Sequence, residues 1–552
     1  MISKRFFWTF FLGILLVYIL GLFNTLMEND SAQFAVMAQR MVQQDDYLSL
    51  VKGVEEYLDK PHLHYWLAAA SYNVFGIADW AYRIPALLAT LLAAFSCFGM
   101  GRLYYSADAG RLAALIFMSA QTIVLSVIDV RTDAVLTGFA AFALWQLLRY
   151  LKLGSTRGLF LGALGAGLAF STKGQIALVV IGLPILAELV YSRKWNRLLN
   201  WRLLPAVLIF LLVISPVLYA YYQQFDLHPE KVIRGRDNRS GVLFILWEQS
   251  FERLSGEGVG KNSSDYFFFF HTFLWVFLPW TLIGITAFGH RVKQLWKAFR
   301  GNAQRPEEAW SAGGITLIFI LISFAQFKLP HYLNITIPIF AVLAASYLLS
   351  WRSESLMKFL KWGQIVIACL VLIAIGGISL WVFPLPSHLG ILLSLGVAGL
   401  LWFSYNREFQ LPLRIAGLGL ASAILLNAVM NAHFYPRLLE FQAGSEIARS
   451  LEKTAPEAGP IYKLGDGHTW AMDFYSGSPL RITSPEQLKE SNEVEWIYVS
   501  RKQLATISEM GLEADTVLAA DQFRITRLQA RFLNPETRTK VLNKRYLLRL
   551  KR

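Results

Sequence analysis

A succession of apolar runs, each about as long as a bilayer is thick, constrains this chain more than any other feature. A helix crosses the hydrocarbon core with ~20 predominantly apolar residues. In lipid the backbone N–H and C=O groups must bond within the segment, so such runs fold as helices. About thirteen runs meet or approach the ~20-residue criterion: 6–26, 84–104, 109–127, 132–151, 157–172, 175–192, 203–223, 269–289, 312–327, 331–349, 361–383, 388–405 and 411–430. Of the 552 residues 55% are hydrophobic and only 16% charged, so the length is spent on spans rather than on several soluble domains. The expected fold class is an α-helical polytopic membrane protein. The run at 63–77 is apolar but short and polar-edged, and reads as an interfacial or re-entrant helix. The first run, behind Lys4 and Arg5, is too long for a signal-peptide core and has no small-residue cleavage site after it; it reads as a retained span.

The net charge of +14 is mostly an orientation signal. Lys4 and Arg5, then Arg149, Lys152 and Arg157, then Arg193, Lys194, Arg197 and Arg202 fall on one side of the expected spans. So do Arg291, Lys293, Lys297, Arg300 and Arg305, then Arg352, Lys358 and Lys361, and Arg407 and Arg414. The positive-inside bias makes that side cytoplasmic, which leaves little reason to read the charge as nucleic-acid binding. The opposite face then carries the long 27–83 loop, the Asp129–Asp133 turn, the Ser171-Thr172-Lys173-Gly174 turn, the 224–268 loop and the turn Phe327-Lys328-Leu329-Pro330-His331-Tyr332. Lys60, Lys173 and Lys328 are exceptions to the bias, and ionisable groups kept near hydrocarbon are candidate functional charges.

Two domains are expected: a membrane body over 1–435 and an extracytoplasmic α/β domain over 436–552. The second has strand-like runs such as Glu495-Trp496-Ile497-Tyr498-Val499, a helix-like run at 501–511 and a turn at Gly465-Asp466-Gly467. Cys97 and Cys369 each lie in an apolar run, expected buried, with no disulfide framework or metal motif.

The segment after the first span carries the most chemistry. Residues 30–43 have the apolar spacing of an amphipathic helix, with Phe34, Met37, Ala38 and Met41 on one face and Asp30 at the N-cap. Asp30 is either a helix cap or a general base toward an acceptor hydroxyl. Lys60, before Pro61, is either a lysine snorkelling to the interface or a cation that holds a phosphate. His62, His64, Tyr65 and Trp66 suit the interface, where aromatic rings with polar tips sit. Asp133, in Arg131-Thr132-Asp133 and about a turn beyond Asp129, is a cap or a site carboxylate. Lys173, Lys328 and Arg83 complete, with Lys60, a set of cations on one face that a lipid-linked phosphate would use. In the 224–268 loop, Trp247, Phe251 and Leu254 are helically spaced beside Glu248, Glu252 and Arg253, as in a helix lying on a membrane. Gly256, Gly258 and Gly260, followed by Lys261, are too scattered for a nucleotide loop, and no P-loop or dinucleotide fingerprint occurs. Asp59, His228 and His271 are candidate metal ligands, although no spacing demands a metal.

These segments, in this order, resemble the bacterial GT-C membrane glycosyltransferases related to protein O-mannosyltransferases and the lipid A aminoarabinose transferase. Asp30-Ser31-Ala32-Gln33-Phe34-Ala35 looks like the family's Asp-Glu-x-x-Tyr-Ala, with Ser31 and Phe34 as departures. Lys60-Pro61-His62-Leu63-His64-Tyr65-Trp66 is similar to its Lys-Pro-Pro-Leu-x-Tyr-Trp, with His62 as the departure. Arg131-Thr132-Asp133, Thr172-Lys173-Gly174 and Lys328-Leu329-Pro330-His331-Tyr332 agree in order and side.

The resemblance implies transfer of a hexosyl or pentosyl group, with inversion, from a polyprenyl-phosphate donor to a lipid A-like glycolipid, another glycan or a protein. The reaction would occur at the outer face of a bacterial inner membrane. Asp30 and Asp133 are then the catalytic carboxylates. Lys60, Arg83, Lys173, Lys328 and His331 hold the donor phosphate, and Tyr65, Trp66 and Tyr332 line the donor or acceptor site. No cofactor is required, a divalent metal is not expected, and the chain is expected to act as a monomer. The alternative is a transporter or flippase of a lipid-linked sugar. Such proteins tend to carry repeated halves and midplane charges, whereas these charges cluster at one interface and no half-repeat is visible.

Overall fold

The computed structural model describes residues 2–249, 251–252, 262, 264–301, 304–350, 353–405, 409–456, 458–465, 467–490 and 494–551. Leu254, Arg253, Gly256, Gly258, Gly260 and Lys261 of the second loop, Arg352, Arg407 and Asp466 lie outside the described residues.

Eight helices among the described residues are long and apolar enough to cross a membrane, or nine if the pair Ala107–Ser119 and Gln121–Ile128, bent by 54°, counts as one span. The remaining expected spans are helical too, but fall short of that standard. Thr156–Lys173 is rich in glycine and ends on charge, the 269–289 run is broken into Phe268–Val276 and Thr281–Phe299, and Trp310–Ser323 has only 14 residues. The outer wall is apolar: Leu204 and Leu212 on Leu203–Tyr221 are 74% and 62% exposed, which suits contact with lipid rather than water. Inside, small residues let backbones approach. A Cβ on Gly101 would stand 2.7 Å from the Cα of Gly110, so Asp79–Tyr104 and Ala107–Ser119 meet glycine on glycine. Cys97 is buried as expected, but Cys369 is exposed, because it lies on the outward face of Glu354–Gly377.

The first loop folds into the amphipathic helix Asp30–Gln44, a hairpin of Val51–Lys52 with Glu55–Glu56, and the short helix Leu63–Phe75. In the second loop Trp247 and Phe251 are exposed, as an interfacial segment requires.

Beyond Leu439, helix Ala443–Thr454 opens a domain with a five-stranded sheet. The strand order is Arg481–Thr483, Ile461–Leu464, Trp496–Ser500, Asn543–Leu550, Ala514–Gln522. The first two pairings are parallel, and Asn543–Leu550 runs antiparallel to both neighbours. Helix Arg501–Glu509 starts in a capping box made by Ser500 and Gln503. The domain packs on the body through Phe441, which stacks on Phe383 at 6.3 Å with Phe532 and Phe523 behind it, the last two stacked at 4.0 Å, while Arg538 donates to the Val382 carbonyl at 2.7 Å.

Candidate active site

Three turns at one end of the helix bundle converge beneath the first loop. Asp129-Val130-Arg131 links two helices, and Asp133 follows in the first turn of Thr132–Leu153. Lys173 ends its helix because Gly174 takes φ +73°, a conformation few other residues tolerate. His331 and Tyr332 lie in the 3-10 turn Pro330–Thr336. These turns bring together residues scattered over some 200 positions of sequence.

At the centre Asp133 is buried, with Oδ1 accepting from Lys173 Nζ at 2.6 Å and Oδ2 lying 3.6 Å from His331 Nε2. The Lys173 amino group also sits 4.7 Å from the centre of the Tyr332 ring. Arg131 joins this centre to the first loop. Its guanidinium reaches Asp30 Oδ2 at 2.9 Å, Asp129 Oδ2 at 3.0 Å and His331 Nδ1 at 3.4 Å. Burial disfavours the Arg131 charge, but Asp129, Asp30 and Asp133 outweigh it and hold the guanidinium protonated. Asp30 keeps 43% of its side chain exposed. It is not the helix cap: Asn29 occupies that position without a side-chain bond, and Asp30 is the first helical residue.

Asp30, Lys60, Asp133, Lys173, His331 and Tyr332 line one polar cavity of about 230 Å³ with Gln33, Lys52, Tyr57, Asp59 and Arg131. An apolar groove of about 290 Å³ adjoins it, walled by Leu136, Ile176, Val179, Leu321, Ile322 and Ile335. The two share Lys60, Asp133, Lys173, Phe327 and Tyr332. A third cavity, about 450 Å³, touches Asp129, Arg131, Asp133 and His331 from the other side and reaches Ile525 and Leu528 of the C-terminal domain. Gln249 of the second loop donates to the Asp59 carbonyl and lies against Gly174, which ties the Lys60 segment to the Lys173 turn.

Several sequence expectations are corrected by burial. Arg83 is fully buried and donates to the carbonyls of Ile128 (2.9 Å), Leu22 (2.8 Å), Thr25 (3.1 Å) and Asn24, so its guanidinium is spent on backbone rather than on a phosphate. Lys328 is buried with its amino group 5.5 Å from the Tyr266 ring, outside the polar cavity, and Asn262 clasps its backbone at 2.7 Å. Tyr65 is buried among Phe34, Tyr57 and His64, and Trp66 donates to the Tyr47 carbonyl at 2.7 Å; neither lines the cavity. His62 and His64 are buried, and burial pushes each down to about 4, so both are neutral packing groups. The proposed metal ligands do not converge. Asp59 pairs with Arg234, His228 with Glu230 and His271 with Asp265, and among the described residues no group of three or more His, Cys, Asp or Glu side chains is arranged to hold a metal. Sequence reasoning named Arg131 only as part of a motif, without a role, and passed over Lys52 and Gln249. Arg131 and Lys52 carried a signal, since both are cations on the face where the bias predicts few.

The profile of the dolichyl-phosphate-mannose-protein mannosyltransferase family matches residues 59–220, the stretch that supplies Lys60, Arg131, Asp133 and Lys173. Over 99% of its length the chain superposes on 98% of ArnT from Cupriavidus metallidurans bound to undecaprenyl phosphate, with a TM-score of 0.75 at 18% identity. The chain has the GT-C fold of these membrane glycosyltransferases. An oligosaccharyltransferase from Archaeoglobus fulgidus has the same fold at lower likeness, TM-score 0.51 and 12% identity over 91% of this chain and 70% of that one. Among sequences, this GT-C chain is 27% identical over 309 residues to an undecaprenyl phosphate-alpha-4-amino-4-deoxy-L-arabinose arabinosyl transferase of Pseudomonas paraeruginosa, covering 55% of this chain. It is 25% identical over 352 residues to the protein of the same name from Edwardsiella ictaluri, covering 62% of this chain. The chain spans 52% and 59% of the length of these two relatives.

Proposed function

We propose that this GT-C protein transfers a sugar from a polyprenyl-phosphate carrier to a lipid A-like glycolipid or related acceptor at the outer face of a bacterial cytoplasmic membrane. The observation that carries the proposal is the junction of the apolar groove with the polar cavity at Lys60, Asp133, Lys173, Phe327 and Tyr332. A hydrocarbon chain in the groove would bring its phosphate onto Lys60 and Lys173. Cations held where negative charge develops stabilise a departing phosphate most when water is excluded. Asp30, the exposed carboxylate of the cavity, accepts the proton of an acceptor hydroxyl as that oxygen attacks the anomeric carbon. Arg131 orients Asp30, and Asp133 holds Lys173 and His331 toward the donor. The sugar–phosphate bond breaks as the new glycosidic bond forms, with inversion. The relatives named for undecaprenyl-phosphate-linked aminoarabinose support such a donor. The basic loops at the opposite end support an orientation with the N-terminus inside and the cavity outside. In this reading the protein acts as a monomer and needs no metal or other cofactor.

Mass spectrometry of lipid that copurifies with the protein, beside Lys60→Ala, tests the donor. A polyprenyl phosphate present in the wild type and depleted in the variant is the expected result; bulk phospholipid alone in both would count against it. Asp30→Asn should retain the carrier while kcat falls about 10²–10⁴-fold, and full activity in that variant would remove the catalytic assignment.

A further inference from the structure

The segment 22–29, which delivers Asp30 to the cavity, is held from two directions by residues far away in sequence. From the membrane body, Arg83 takes the carbonyls of Leu22, Asn24 and Thr25. From the C-terminal domain, three side chains and one backbone amide take almost everything that follows. Tyr475 accepts the Leu26 N–H at 2.8 Å, and its hydroxyl lies 3.2 Å from Asp79 Oδ2. Gln442, fully buried, donates to the Leu26 carbonyl at 2.9 Å and accepts the Glu28 N–H at 2.9 Å. Arg449 donates to Thr25 Oγ1 at 2.9 Å and to Asp79 at 3.2 Å. The Ala471 amide, in the first turn of Trp470–Tyr475, donates to the Glu28 carboxylate at 3.0 Å.

The held segment is wired into the first turn of the Asp30 helix. Ala32 N–H donates to the Met27 carbonyl at 3.1 Å and Gln33 N–H to the Asn29 carbonyl at 3.0 Å, so residues on both sides of the clamped Glu28 close the turn that carries Asp30. The same Trp470–Tyr475 helix sets Phe474 against Tyr72 of Leu63–Phe75 at 6.4 Å, and the Tyr72 hydroxyl in turn reaches the Ala35 carbonyl of Asp30–Gln44 at 3.5 Å. A bent backbone with a free run of peptide groups would let Asp30 move by an ångström or more, and a misplacement of that size costs a positioned base much of its effect.

We infer that Gln442 and Tyr475 of the C-terminal domain are positioning residues for Asp30, so that the domain completes the active site of the membrane body through the backbone of residues 26–28. The inference rests on the transferase reading for its kinetic half and on geometry alone for its structural half. Gln442 uses both ends of its amide, so Gln442→Ala removes a donor and an acceptor together. Tyr475→Phe removes one hydroxyl and keeps the ring in place, and serves if Gln442→Ala does not fold.

The test uses the full chain in nanodiscs. Hydrogen–deuterium exchange is followed over residues 24–34, and turnover is measured with undecaprenyl phosphate-linked 4-amino-4-deoxy-L-arabinose and lipid A as the probe pair. Positioning predicts faster exchange confined to 24–34, kcat lowered at least about tenfold in Gln442→Ala and about threefold or more in Tyr475→Phe, and a donor KM within about twofold of wild type. Unchanged exchange in a folded variant, or faster exchange with kcat unaltered, would overturn it. A fall in activity that follows only the loss of folded protein would do so as well. If the wild type and Asp30→Asn are equally inactive on the probe pair, the transferase reading fails for that pair, and the exchange pattern by itself decides whether the domain holds residues 26–28.

Discussion

At the cavity end of the bundle Asp133 is buried against Lys173 and His331, and three cavities meet around it. At the opposite end Glu188 and Glu308 are buried to the same degree. Glu188 accepts the amides of Ala309 and Trp310 at 2.9 and 3.1 Å. Glu308 accepts the Ser311 amide at 2.9 Å, the Tyr105 hydroxyl at 2.6 Å and a contact from Arg291 at 3.4 Å. Those carboxylates cap the start of Trp310–Ser323, where unbonded N–H groups and the helix dipole favour negative charge. None of their bonds reaches a cavity around Asp133. The two ends differ in what their buried carboxylates touch: the partners of Asp133 line cavities, whereas Glu188 and Glu308 hold the start of a helix through backbone amides, with Tyr105 and Arg291 completing the second.

The largest effect should come from breaking the charge pairing at the cavity end. Asp133→Ala removes the carboxylate that neutralises Lys173 and should cost about 3–5 kcal/mol of stability along with activity. Adding Lys173→Met should restore most of the thermal stability in detergent while leaving the protein inactive, which separates the two contributions. If the double variant transfers sugar, the cavity end is structural in the same sense as the other end.

Glu308→Gln should lower stability by about 1–3 kcal/mol, because a buried bond network loses its charge. The kcat of the folded fraction should stay within about twofold of wild type. Initial rates normalised to folded protein check this, and a large fall in kcat would erase the contrast between the ends.

A third prediction concerns Glu28, at the seam between the two domains. Burial, opposed by the Ala471 amide, lifts it from its ordinary 4.5 to about 7. The folded protein thus binds a proton there that the unfolded chain has already released. The stabilisation is fully present below about 4.5 and is lost as pH rises through about 7. Glu28→Gln, which needs no proton, should gain on the wild type between pH 5 and 8, by about 3 kcal/mol at the upper end. Thermal melting across that range reads it, and parallel curves for the two proteins would sink it. The smallest effect belongs to the exposed Lys358–Glu354 pair, 2.8 Å apart on one helix face. Lys358→Ala should leave melting and turnover unchanged, since exposed pairs are screened by water and salt.

Much of this was legible in the sequence. Apolar run length foretold the helical body, since lipid leaves the backbone few choices. The charges on the face opposite the basic loops pointed to Asp30, Lys60, Asp133 and Lys173, and the family resemblance added His331; the cavity contains all five. The alternating pattern around Trp496 announced a strand of the C-terminal domain, which the structure places at the centre of its sheet.

Sequence position alone could not sort the cations. Arg83 and Lys60 look alike in sequence, each a cation just ahead of a proline, yet one meets four backbone carbonyls and the other a cavity. Tyr475 reaches Leu26 across 449 positions of sequence, and Gln442 reaches it across 416. Local pattern reports what a segment costs to place in lipid or in water. Which groups a buried charge or amide finds there depends on how distant elements dock, and that was decided only by the tertiary structure.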